Sequence, residues 1–388
     1  MSIFFLIVFF IISVIYTRKV YFPLFMASIL SVSTDINYIS VIVLFFVVLF
    51  GFLNRLIYFN RKSFLFFLLS FFVMVFIIFL GIKNGGHIYN AVGKSLKIFI
   101  ILFLFFISYK DGFISFYDIR KNIRVFYLIT FISILVLYNA GYYNDQGIIL
   151  ERVSGFLYDP NYLSLFCFIF ILYLSYFGKL LGIKYKKDIL CLLLIILLCQ
   201  SWSMFIFVFI YYLIGYKRLC DFGKLINPYF SIIIVFFIYF SLYGLDKIVA
   251  YQDWSESHLS LKLNSLIFRL NAMLDGFSVI TTNSDILLYG MGSGRSLEIT
   301  DRVFHNLYFQ QLFDHGIVYY LVFSLLLWYL CKHKIFDKVG MVHVVIFFLA
   351  LNNIVFDNFY SFIFPFSIFI FLSTKERTNT LLNSMRII

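Results

Sequence analysis

Charge is what this chain has least of. Of its 388 residues only 13% are charged, against 63% hydrophobic, and so few charges cannot screen that much apolar surface from water. An ordinary soluble globule is excluded on that ground. Cysteine is scarce as well: Cys167, Cys191, Cys199, Cys220 and Cys331 are odd in number, lie in or beside apolar runs, and show neither a disulfide framework nor a zinc spacing. Small apolar packing is their expected role. No cleavable signal peptide is expected, because the run Ile3–Tyr16 lacks a basic segment before it and a small-residue site after it. Internal repeats and soluble linkers are not evident. No HExxH, Ser-His-Asp order, Cys/His cluster or two-metal pattern of acids occurs, so neither a metal nor a cofactor is expected.

What the chain has in abundance is apolar runs, from Ile3–Tyr16 to Phe359–Leu372. Helices are the default spanning element, since an open sheet leaves backbone groups unpaired in lipid, and these runs are too continuous for the alternation of a barrel. The expected fold is therefore all-α, a polytopic membrane protein of about 12 to 13 transmembrane helices, although several runs fall short of the roughly 20 residues that a span requires. Residues 1–245 read as a helical bundle with short loops. Residues 246–316 read as a large polar loop, and 317–388 as C-terminal spans with a cytoplasmic tail.

The formal net charge of +12 raises nucleic acid as a partner, so the location of the charge has to decide. Of the 31 Lys and Arg, 22 cluster in seven short stretches between or after apolar runs. The positive-inside rule makes those stretches cytoplasmic and leaves nucleic acid without a role. Lys83, Lys94, Lys97, Arg152, Lys247, Lys262, Arg269, Arg295 and Arg302 then lie on the opposite face, where orientation gives a cation no reason to be.

Two polar stretches gather on that face. In the first, Arg152 to Asn161, Asp159-Pro160 is a helix start, Asp capping exposed N–H groups and Pro needing no donor in the first turn. Arg152 suits an anionic ligand as well as a salt bridge. In the second, Leu259, Leu263, Leu266, Leu270, Met273, Phe277 and Ile280 recur at steps of three and four, which predicts a helix with one buried face. Lys262 and Arg269, seven apart, line a different face with Gly276 and fit a diphosphate or a headgroup-facing stripe. Gly290, Gly292 and Gly294 beside Arg295 make a loop that either cradles phosphate or merely bends; it is neither a P-loop nor a dinucleotide fingerprint. His305 opens a short helix, Asn306 to Phe313, that Gly316 ends. Its near-neutral reference pKa suits general base work, against the commoner packing role of a lone histidine.

These motifs together resemble the O-antigen polymerase (Wzy-type) and O-antigen ligase superfamily of bacterial envelope enzymes. Three blocks carry the resemblance: Arg152-x-x-Gly155 followed by Asp159-Pro160-Asn161; Arg269 with Gly290-x-Gly292-x-Gly294; and His305-Asn306-x-Tyr308 followed by Gly316. It covers roughly Arg152 to Cys331. The resemblance implies a multi-spanning, inverting, metal-independent glycosyltransferase of the GT-C type in the bacterial inner membrane. Such an enzyme acts at the periplasmic face on glycans linked to undecaprenyl pyrophosphate, which serve as both donor and acceptor. It further implies that Arg152 and Arg269 hold the pyrophosphate and that His305 activates the acceptor hydroxyl. Lys262, Arg295, Gly292, Gly294, Asn306, Tyr308, Asp159 and Asn161 complete the candidate binding set. Many members carry an arginine after the serine at the end of the run Ile189–Ser201, where this chain has Trp202; either Arg295 or Arg302 substitutes or the donor is held differently.

The expected function is polymerisation of lipid-linked repeat units into O-antigen or capsular polysaccharide, with membrane lipid and a chain-length regulator as further candidate partners. The alternatives are the ligase of the same family, which transfers glycan to lipid A–core, and a flippase for the lipid-linked sugar. A flippase predicts ionisable residues along a path inside the helices. Such residues are almost absent from the apolar runs apart from His343 and end positions such as Lys97.

Overall fold

The computed structural model describes residues 2–31, 61–83, 115–137, 140–145, 148–157, 159–214, 271–292, 309–310, 312–321 and 370–371, with isolated positions between 46 and 109. In chain order the elements are α1 (Ser2–Thr17), α2 (Tyr21–Ser31), β1 (Ile57–Tyr58), α3 (Arg61–Lys83), β2 (Ser108–Tyr109), α4 (Phe116–Leu137), β3 (Ala140–Asp145), β4 (Ile148–Val153), α5 (Pro160–Leu180), α6 (Lys186–Cys199), α7 (Trp202–Ile214) and α8 (Ser284–Tyr289). Residues 271–282 and 312–321 are also helical. The strands form two separate antiparallel ribbons, β1 with β2 and β3 with β4.

The chain divides into two compact units that interleave in sequence. Met1–Ser63, Ile107–Tyr216 and Phe362–Ile388 make the first; Phe64–Phe106 and Lys217–Ser361 make the second. Both boundaries of the expected polar loop, near residues 246 and 316, fall inside the second unit.

The first unit is built around α5. Asp159 Oδ1 accepts the Asn161 N–H at 2.6 Å and Pro160 opens the helix, the cap that the sequence offers. Gly182, at φ +65°, ends it, and the Ile183 N–H turns back to the Gly178 carbonyl at 2.9 Å. Between these ends the helix is apolar on every face and is enclosed by protein. Phe116 and Phe126 of α4 meet Tyr173 and Phe170 at ring separations of 5.9 and 5.2 Å, Phe207 of α7 meets Phe168 at 6.1 Å, and Phe371 meets Tyr173 at 5.6 Å. The abundant phenylalanine thus fills a core by offset and edge-on ring contacts.

The expectation of about 12 to 13 transmembrane helices is overturned. Among the described residues one helix, α5, is long and apolar enough to cross a membrane, and 89% of its apolar window is buried inside the protein. The reason is length and composition. At about 1.5 Å per residue, the 14 residues of α6 and 13 of α7 reach only about two thirds of a roughly 30 Å hydrocarbon layer. Gln200, left-handed at φ +48°, separates those two helices, and Ser201 restarts the second by accepting the Phe205 N–H at 3.0 Å. The 22-residue α4 carries Asp118, Arg120, Lys121 and Arg124, and the described uninterrupted apolar stretch of α3 is Phe71–Leu80. The GT-C-like multi-pass architecture falls with the span count. So does the multi-pass inner-membrane location with a site facing the periplasm. The described residues are mainly α-helical, and in the first unit α4, α6 and α7 pack on the buried α5.

Candidate functional site

A candidate site lies in the second unit, where the glycine turn meets the segment after His305. Its scaffold follows from the apolar spacing. Met273, Phe277 and Ile280, at steps of four and three on the helical segment 271–282, pack with Ala272 against Phe309 and Phe313. Asn283 then caps α8, its side-chain oxygen accepting the Asp285 and Ile286 N–H groups at 2.9 and 3.4 Å. Gly290, at φ +78°, stops α8 after six residues, its N–H reaching the Ile286 carbonyl at 2.7 Å.

Beyond Gly290 the chain crosses the segment 313–316 backbone to backbone. Met291 N–H donates to the Phe313 carbonyl and Gly292 N–H to the Asp314 carbonyl, both at 2.9 Å. A Cβ on Gly290 would run into the Asp314 carbonyl and the His315 nitrogen, and a Cβ on Gly316 into the Leu288 carbonyl and the Tyr289 nitrogen. Gly316 also holds φ +76°, with helical residues on both sides of it rather than the helix end expected there. Glycine is required at both positions by close approach and by backbone conformation together. The N–H of Gly292 is spent on this crossing, so at that position the loop acts as a stitch.

Polar side chains are buried behind the stitch. Gln310, Asp314 and His315 are each at most 1% exposed. Gln310 Nε2 donates to Asp314 Oδ2 at 2.9 Å, and the His315 ring stands edge-on to Tyr319 with centroids 4.6 Å apart. Burial, and after it the charge of Asp314, pushes the Tyr319 phenol above its ordinary range. At the outer side, Lys83 Nζ sits 4.2 Å above the Tyr289 ring, a cation–π contact next to the glycine turn. An acid, an imidazole, a phenol and an ammonium therefore gather around one backbone crossing. Their signal in the sequence is the i, i+4 spacing of Gln310 with Asp314 and of His315 with Tyr319.

The first unit holds the other motif. Arg152 lies on β4 opposite Gly141 of β3. Behind it Ser154–Leu157 form a turn, with Leu157 N–H on the Ser154 carbonyl at 3.2 Å and Phe156 and Leu157 buried. Gly155, at φ +60°, leaves only 3.1 Å between a would-be Cβ and Ser133 Oγ. That glycine presses the turn onto α4. Asp159 and Asn161 serve the start of α5, as described above. Lys262, Arg269, Arg295, Gly294, His305, Asn306 and Tyr308 lie outside the described residues. Of the candidate set, Gly292 thus falls in the second unit and Arg152, Asp159 and Asn161 in the first.

Among the described residues no three His, Cys, Asp or Glu side chains converge as metal ligands. Cys167 and Cys199 are buried packing residues, and burial pushes the Cys167 thiol up, away from reactivity. Comparison of the chain with protein-family models, with curated proteins and with solved structures finds no match in any of the three.

Proposed function

We propose that the chain is a glycosyltransferase that joins oligosaccharide repeat units carried on undecaprenyl pyrophosphate into an O-antigen or capsular polysaccharide. The observation that supports this reading most is the crossing of Gly290–Gly292 with Asp314–Gly316. Glycines from two of the three motif blocks, Gly290 and Gly292 of one and Gly316 of another, lie at this crossing, on elements fixed by backbone hydrogen bonds and by a packed apolar cluster. A group-transfer site needs that kind of rigid support.

In this reading Arg269, helped by Lys262 and Arg295, binds the donor pyrophosphate, while Asn306 and Tyr308 contact sugar. His305 takes the proton of the acceptor hydroxyl as its oxygen bonds to the anomeric carbon. The bond from that carbon to the pyrophosphate oxygen breaks on the opposite face, and undecaprenyl pyrophosphate leaves with the electron pair. Fixed guanidinium groups stabilise the charge that develops on the leaving group more than water does. Glycine at 290 and 316 leaves room for the backbone crossing that holds this segment.

The test gives the purified full chain, in neutral detergent, a single lipid-pyrophosphate-linked repeat unit without nucleotide sugar. Products are resolved on a gel beside His305→Ala and Arg269→Ala. The expected result is a ladder that both variants lose. Transfer only to added lipid A–core identifies the ligase. Reorientation of the lipid-linked sugar in proteoliposomes without any product overturns group transfer in favour of a flippase.

A further inference from the structure

At one end of the first unit, three stretches distant in sequence are tied together by their charges. Lys19, just after α1, pairs through Nζ with Asp118 Oδ2 of α4 at 2.6 Å. Lys121 donates to the Tyr16 carbonyl at 3.3 Å and lies 5.1 Å above the Tyr16 ring. Arg120 reaches across to the Lys184 carbonyl and binds Asp188 Oδ2 at 2.7 Å, and Arg124 Nε binds Asp188 Oδ1 at 2.8 Å. Residues 15–20, 116–124 and 179–190 therefore form one face.

That face carries nine Lys and Arg but only two Asp. Both acids are turned inward and spent on internal pairs, Asp118 with Lys19 and Asp188 with two arginines. Arg18, Lys184, Lys186 and Lys187 are exposed and make no ion pair among the described residues. Between these cations stand large apolar side chains that are also exposed: Ile15 at 71%, Tyr117 and Leu190 at 59%, Val20 at 50%, and Leu180 beside Lys179.

Cations interleaved with exposed aliphatic and tyrosine side chains match one kind of surface, in which phosphates overlie hydrocarbon. We propose that this face docks on a lipid layer rich in anionic phospholipid, the exposed lysines and Arg18 meeting headgroup phosphates while Ile15, Val20, Leu180 and Leu190 enter the acyl boundary. Charge complementarity selects the occupant. A polynucleotide would satisfy the cations but offers nothing to four exposed aliphatic side chains. A neutral lipid would cover the aliphatic groups and leave the cations unanswered. Docking here uses none of the residues of the candidate binding set, and it requires no spanning helix.

The test uses the full chain in neutral detergent micelles doped with dansyl-phosphatidylglycerol or dansyl-phosphatidylcholine, reading energy transfer from tryptophan. Phosphatidylglycerol is expected to half-saturate the signal at a mole fraction at least about tenfold lower than phosphatidylcholine, since each cation near an anionic layer contributes about fivefold. About 1 M salt, where the Debye length is only about 3 Å, should erase the preference. The variant K184E/K186E/K187E, which changes exposed side chains only and is checked for an unchanged circular dichroism spectrum, should lose it too. Equal binding of the two lipids, or a triple variant that retains the preference, overturns the proposal. So does tighter capture of an oligouridine than of phosphatidylglycerol at the same salt, which would assign the face to nucleic acid.

Discussion

Each unit of the molecule buries a carboxylate, and the two are treated differently. Asp188, 2% exposed at its side chain, is held by two guanidinium groups and by the Tyr127 hydroxyl at 3.3 Å. Burial pushes its pKa up, but hydrogen bonds from Arg124 and Arg120 outweigh this and hold it below the usual carboxylate range. Asp314 in the second unit is at least as buried, yet it takes a neutral donor, the Gln310 amide, and sits in sequence beside an equally buried histidine. A carboxylate clamped between two arginines is committed to holding helices together. One placed among amide, imidazole and phenol groups is the kind of arrangement that chemistry uses.

Removing the clamp should give the largest effect. Asp188→Ala leaves Arg120 and Arg124 without their anion, and a loss of about 3–5 kcal/mol is expected in thermal or denaturant unfolding of the full chain. A loss under about 1 kcal/mol would place Asp188 with ordinary surface pairs and break the contrast between the units. The pH dependence sharpens the same point. Because the folded pKa of Asp188 is lowered, its contribution is complete above the unfolded carboxylate value and is lost as pH falls through the folded one. The difference in melting temperature between wild type and Asp188→Asn should therefore shrink on acidification.

Substitutions at glycine come next. Gly290→Ala and Gly316→Ala combine a positive φ with collision against backbone, and each should cost about 2–4 kcal/mol and abolish any transfer activity. Gly182→Ala separates these causes, since Gly182 has φ +65° but nothing within 4 Å of a would-be Cβ. It should cost only about 1–2 kcal/mol. If Gly182→Ala proves as damaging as Gly290→Ala, close approach is not what the glycine turn is for. The smallest effect expected is that of Asp159→Ala, about 1 kcal/mol for a lost cap. A larger loss of transfer activity than of stability in that variant would mean that Asp159 also meets the ligand.

Local signals in the sequence carried well where local physics decides. The cap at Asp159-Pro160 and the break at Ser201-Trp202 appear as the residue chemistry requires, and of the expected buried face Ile280 is buried while Met273 and Phe277 are half-buried. The β3–β4 ribbon was not legible, because pairing such as Gly141 with Arg152 depends on partners eleven residues apart. At the candidate site the glycines were visible but their use was not. Whether a glycine's N–H faces a phosphate or the Asp314 carbonyl depends on a segment more than twenty residues away in sequence.

The sequence by itself determined that this chain is helical, apolar, basic, and supplied with glycine, acid and histidine in the stretch 246–316. Hydropathy is a property of the residue, however, and it does not say what covers the residue. Only tertiary structure decided that α5 is enclosed by protein, that Asp188 gathers arginines more than sixty positions away, and that the remaining cations share a face with exposed Ile15 and Leu190. Burial and charge pairing are relations between segments, and chain topology sets which segments meet.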